Sequence, residues 1–144
     1  MTLLHPYLNF NGDCEQAFAL YRSVFSGDYT VISRFSEMPE DPNFPLTGAD
    51  ADRIMHVSLP IGDDSVLMGS NVSAAMGEVQ QGNAFSISIA VKSEAEADRV
   101  FAALSEGGEV TMPLAKMFWN SYFGMCTDPF GVQWMVNYDY EAES

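Results

Sequence analysis

Five residues in the first half of this chain recur 80 positions later with identical spacing: Ala17, Leu20, Tyr21, Val24 and Gly27 return as Ala97, Val100, Phe101, Leu104 and Gly107. Three-and-four spacing marks the apolar stripe of an amphipathic helix, and a glycine beyond the stripe marks its end. The context of each helix repeats as well. A strand ending in a polar turn precedes it, and a hairpin closes each half. The repeating unit therefore reads as βαβββ, present twice. A four-stranded sheet with a single helix has one face it cannot cover alone, so two such units must pack or pair. The expected fold class is α+β with two tandem βαβββ modules. Residues 1–72 form the first and 83–140 the second, with a soft linker at 73–82 and an acidic tail at 141–144.

Within the first module the pattern predicts a strand over 3–10 and a helix over 14–25, with Asp13 as its N-cap and Gly27 as its stop. Strands over 29–35, 53–61 and 64–69 follow, the last two joined by a Gly62-Asp63 turn. Between them, residues 36–52 carry Pro39, Pro42 and Pro45 and resist regular structure. That segment is a solvated excursion or a lid over a binding site. In the second module, residues 84–91 read as a strand and Ser93 as the cap of a helix over 94–106 that Gly107-Gly108 ends. A short strand follows at 109–112, then a loop around Pro113 and Lys116. Residues 119–127 and 132–138 form a hairpin across Asp128-Pro129-Phe130-Gly131.

Charge narrows the function classes. Twenty acidic against six basic residues give a formal charge of −14 in 144 residues. Such a chain repels phosphate instead of releasing counterions from it, so nucleic acid is not an expected partner, and anionic membrane surfaces are disfavoured by the same sign argument. Apolar runs fall short of the ~20 residues a membrane span requires. The opening Met1-Thr2-Leu3-Leu4-His5-Pro6 lacks the features of a secretory signal, so a cytoplasmic location is expected. Cys14 and Cys126 have no zinc-type spacing. Two reduced, structural thiols are the simpler reading, a single disulfide the alternative.

Several segments together resemble a known family. They are Pro6-Tyr7-Leu8-x-Phe10-x-Gly12-x-Cys14-Glu15-x-Ala17 and Ile54-Met55-His56. Toward the end come Phe118-Trp119, Phe123-Gly124-Met125, Asp128-x-Phe130-Gly131 and Trp134-Met135. The chain resembles the vicinal oxygen chelate superfamily (glyoxalases, bleomycin-resistance proteins and extradiol dioxygenases), and within it the PhnB-like, 3-demethylubiquinone methyltransferase-like branch. The resemblance implies the glyoxalase/bleomycin-resistance/dihydroxybiphenyl dioxygenase fold and a sheet-lined cup. In the enzymatic branches that cup holds a divalent metal on a His of each module's first strand and a Glu of its last. Here the matching positions are Pro6 or His5, Ser86 and Met135, a poor ligand set. No cofactor is therefore expected, and a divalent metal is disfavoured. A methyltransferase of the Rossmann type would need a Gly-rich turn after the first strand, and Asn11-Gly12-Asp13-Cys14 supplies one glycine only.

The remaining candidates are His56, Ser86, Trp119, Tyr122 and Met135 as ligand-binding residues, with His56 the candidate catalytic group. Neutral imidazole both donates and accepts near pH 7, which suits a base or a ligand-polarising group. The alternative is a semi-buried structural histidine. Regular alternation puts His56 on a strand face with Ile54, Ser58 and Pro60, pointing into the cup near Trp119 and Tyr122. Trp134 is expected in the core. The expected function is binding of a small aromatic or apolar molecule without a complete metal site, by a homodimer. The alternative is a metal-dependent lyase or dioxygenase of the same superfamily.

Overall fold

The computed structural model describes residues 2–39, 41–43, 48, 50–73 and 76–140. The chain forms two compact units, one reaching to Gln80 and the other beginning at Gln81. The first contains β1 (Tyr7–Phe10), α1 (Cys14–Phe25), β2 (Val31–Arg34), β3 (Ile54–Ile61) and β4 (Ser65–Asn71). The second contains β5 (Ile87–Ala90), α2 (Glu94–Ser105), β6 (Glu109–Lys116), β7 (Ser121–Thr127) and β8 (Gln133–Asp139). Strand order is β1-β4-β3-β2 in the first sheet and β5-β8-β7-β6 in the second, so the two share one topology. In each, the opening strand runs parallel to the closing one and the other pairs are antiparallel. The fold is therefore two tandem βαβββ modules. Among the described residues no helix is long and apolar enough to cross a membrane.

The offset of 80 holds for both opening strands and both helices, then fails. Residues 35–53 connect β2 to β3, whereas residues 117–120 suffice between β6 and β7. The first module thus carries an insertion where the Pro-rich segment lies. The insertion is tied at its base: Phe35 N–H donates to Arg53 O and Ser36 N–H to Ala51 O. The Arg53 guanidinium bonds Val72 O at 2.9 Å and lies 3.9 Å from buried Asp50. The middle of the expected lid, residues 40, 44–47 and 49, lies outside the described residues, as does the expected tail at 141–144.

Each helix buries its stripe against one face of its own sheet. Cys14, Ala17, Phe18, Tyr21 and Val24 of α1 are buried, as are Val57 and Leu59 of β3 and Leu67 of β4. Gly69 on the same face lets α1 approach: a Cβ there would stand 2.7 Å from the Phe18 ring and 2.9 Å from Leu8 O. In the second unit Ala97, Val100, Phe101 and Leu104 cover Cys126, Trp134 and Val136, and Gly124 faces the Phe101 ring. Trp134 is in the core as expected. Its indole N–H donates to Oδ2 of buried Asp128, whose Oδ1 accepts from Phe130 and Val132 N–H, so one carboxylate secures both the turn and the indole.

Three local expectations need correction. Asp13 occupies the N-cap position of α1 without a side-chain bond. Instead Asn71, at the end of β4, accepts from Gly12 N–H at 2.9 Å and Cys14 N–H at 3.0 Å. At the other end Ser26 takes the left-handed conformation (φ 58°, ψ 33°), while Gly27 is required because a Cβ would meet Pro60 O at 2.9 Å. The strand read as 109–112 continues through Pro113 to Lys116. Proline is tolerated there because β6 is the sheet edge and its register slips around Val110, Met112 and Ala115. The two opening strands also turn opposite parities toward their helices, with Ile87 and Ile89 half-buried. Leu8 and Phe10 are buried in β1, whereas Ile87 and Ile89 are the residues paired with Trp134 and Val136.

The remote cap makes a direct prediction. Asn71→Ala leaves two helix-terminal N–H groups without their acceptor and lowers unfolding free energy by about 1–3 kcal/mol in urea titrations. Asp13→Ala changes it by less than about 0.5 kcal/mol. The reverse ranking returns the cap to Asp13.

Candidate functional site

The face of the first sheet turned away from α1 carries a linked set of polar side chains. Its geometry begins with an irregularity in β3. Ser33 pairs with His56, but the next residue of β2, Arg34, pairs with Ile54, so Met55 is an extra residue in the ladder. A bulge of this kind switches the face of everything beyond it. Ile54 is thereby buried with Val57 and Leu59, and does not share a face with His56 as regular alternation predicts. His56 and Ser58 point the other way.

His56 is engaged at both ring nitrogens. Its Nδ1 lies 3.0 Å from the Tyr7 hydroxyl and its Nε2 lies 2.9 Å from Ser58 Oγ. The Tyr7 and His56 rings stack at 5.6 Å and 27°. Tyr7 is on β1, two strands from β3 across β4, and its length lets it reach over. Ser58 is 7% exposed and Tyr7 44%, so the set runs from a buried hydroxyl through an imidazole to an accessible phenol. The residues flanking it in register are Ser33, Val31 and Met68, none of them charged.

Tyr7 and Ser58 were absent from the sequence-derived candidates. His-x-Ser on a strand is a readable same-face pair. Tyr7 joins it only through the β1-β4-β3 order, which one strand's pattern does not reveal.

The candidates in the second unit divide between two faces. Met135 is half-buried on the face away from α2, where it pairs with Met125. Trp119, in the β6–β7 turn, packs edge-on against Phe123 at 5.8 Å, and Phe123 is on that same face. Phe118 beside it is 96% exposed. Tyr122 goes the other way: its hydroxyl donates to Asp98 Oδ1 of α2 at 2.6 Å, and the phenol is pushed up to about 12, chiefly by that bond. It does not join Trp119 and Met135. Ser86 is half-buried immediately before β5.

Among the described residues no three His, Cys, Asp or Glu side chains are grouped to hold an ion. His5 Nδ1 accepts from Val66 N–H, and His56 has Tyr7 and Ser58 at its nitrogens. Cys14 and Cys126 are free, buried thiols, raised by burial to about 12 and about 11. Two cations with which an anionic ligand could pair, Arg34 and Lys116, are engaged elsewhere. Arg34 makes a two-pronged bond to Glu15 at 2.7 and 3.1 Å, which holds the Glu15 carboxyl below its ordinary range. Lys116 lies over the Tyr140 ring. An open cleft of about 640 Å³ at the end of α1 contains Arg22, but that guanidinium lies 3.7 Å from Asp28 and over the Tyr29 ring.

Several known proteins are similar to this chain over most of its length. A model of the family described as 3-demethylubiquinone-9 3-methyltransferase matches residues 3–137. The solved protein PA1353 from Pseudomonas aeruginosa is 41% identical, covering 96% of this chain and 98% of its own, with a TM-score of 0.84. The PhnB protein of Bacillus cereus is 25% identical over 95% of this chain and 99% of its own, with a TM-score of 0.71. Protein YjdN of Escherichia coli is 28% identical over 93% of each chain. A glyoxalase/bleomycin resistance protein/dioxygenase family enzyme from Burkholderia phytofirmans, at 18% identity and a TM-score of 0.61, shares the fold.

The raised thiols predict inertness. Both are protonated at about pH 8, where an ordinary cysteine is partly thiolate. Iodoacetamide therefore leaves Cys14 and Cys126 unlabelled in the folded protein and labels both in urea, read by intact mass. Rapid native labelling of either refutes the structural assignment.

Proposed function

We propose a function from the premise that this chain belongs to the 3-demethylubiquinone-9 3-methyltransferase family and to the wider glyoxalase/bleomycin resistance/dioxygenase superfamily: it binds a small, neutral, aromatic or apolar molecule on the helix-free sheet face around His56. The observation that carries this reading is the Tyr7–His56–Ser58 set, a polar row with uncharged neighbours on the sheet face turned away from α1. Such a surface orients a ligand by a few hydrogen bonds while Val31, Met68 and the stacked Tyr7 ring supply apolar contact.

Methyl transfer is not the activity the geometry supports. A nucleotide-type cofactor at the β1–α1 turn would use the free N–H groups at the helix start. Two N–H groups there, those of Gly12 and Cys14, are already bound by Asn71. Nor do the donors support the metal chemistry of enzymatic members, because His5 and His56 are engaged and Ser86 and Met135 stand at the other ligand positions. We read the protein as a binder without a complete metal site, acting as a homodimer. Exposed Phe85, Met112 and Phe118 support the pairing of copies, since isolated domains seldom leave such large apolar groups in water.

A thermal-shift screen with neutral aromatic compounds and their carboxylated counterparts tests the reading. Stabilisation comes from the neutral members, and His56→Ala weakens their binding by about 1–3 kcal/mol. Equal binding by the variant removes His56 from the site. Elemental analysis of protein purified without chelator finds well under one Fe, Mn, Ni or Zn per chain, and a stoichiometric metal restores the lyase or dioxygenase alternative.

A further inference from the structure

Resting on the reading above, we infer that Ser58, His56 and Tyr7 form a one-directional hydrogen-bond relay that presents the Tyr7 phenolic proton outward to a carbonyl-type acceptor on the ligand. The distances alone permit two directions, because ring nitrogens exchange donor and acceptor roles with tautomer. In one, the Tyr7 O–H donates to Nδ1 and Nε2–H donates to Ser58 Oγ. The Ser58 proton then has no acceptor among the described residues, although the residue is 7% exposed. In the other, the Ser58 O–H donates to Nε2, Nδ1–H donates to Tyr7 Oη, and the Tyr7 proton is the one left over. Burial decides between them. An unsatisfied hydroxyl is costly where water is excluded and nearly free where it is present, and Tyr7 is 44% exposed.

This direction sets what the site recognises. Tyr7 Oη accepts a bond from within the protein, which polarises its own O–H into a better donor. The complementary ligand atom must be an acceptor. An anionic acceptor is disfavoured by the charge of −14 and by the uncharged Val31, Ser33 and Met68 beside the relay. A neutral carbonyl oxygen on an apolar or aromatic body fits both requirements, with the body lying over the stacked Tyr7 and His56 rings.

The relay is read directly by long-range ¹⁵N NMR of the full-length protein at about pH 8, with the two histidines distinguished by a His5→Gln variant. His56 shows a protonated, pyrrole-type Nδ1 and an unprotonated, pyridine-type Nε2. Ser58→Ala erases that preference. A protonated Nε2, or an averaged pair in the parent protein, overturns the relay whether or not any ligand binds. The ligand class is read with acetophenone and its carbonyl-free counterpart ethylbenzene. Tyr7→Phe weakens acetophenone binding by roughly tenfold and leaves ethylbenzene unchanged. Equal effects on both probes, or ethylbenzene binding with no acetophenone binding, overturn the carbonyl assignment while leaving the proposed binding function intact. Failure of both probes to bind at the sheet face counts against that function and the carbonyl assignment together.

Discussion

Each four-stranded sheet of this chain is covered by a single helix of twelve residues, and most of the structure follows from that proportion. The helix buries one face and the alternation of strand residues does the rest: large apolar groups go under the helix, polar and mixed groups to the other side. Gly69 and Gly124 are the places where the contact is tightest, since side chains there would collide with Phe18 and Phe101. The face turned away from the helix is thereby available for polar side chains that the helix-side core would exclude. Tyr7, His56 and Ser58 are on that face of the first sheet.

The elements with strong periodicity were legible in the sequence. Both helices span the predicted stripe, because five buried residues in α1 and four in α2 outweigh any local preference at the helix ends. The details that failed depend on partners distant in sequence. Asp13 is a good local cap, but Asn71 arrives through the parallel β1–β4 pairing and binds two N–H groups at once. Pro113 reads as a strand breaker, yet an edge strand tolerates a missing donor. The bulge at Met55 has no sequence signature, and it alone moves Ile54 to the opposite face from His56.

The site was half legible for the same reason. His56 stands out by residue type, and alternation placed Ser58 on its face, though not as its bonded partner. Tyr7 was invisible as a partner, since its bond crosses β4 and depends on strand order. Tyr122 was misplaced because aromatic richness does not report parity. Its neighbour in β7, Phe123, faces away from α2, while Tyr122 itself is held by Asp98. Motif resemblance found the family and the fold, whereas the hydrogen bonds joining Tyr7, His56 and Ser58 are a property of this chain's own side chains.

The central claim is that ligand recognition occurs on the helix-free face of the first sheet. Amide chemical-shift mapping during a screen of small neutral aromatic fragments tests it most directly. The largest shifts are expected to cluster at residues 7, 33, 56, 58 and 68. A cluster in the cleft at Arg22, Ser26 and Tyr29 instead, with those five residues unmoved, would contradict it.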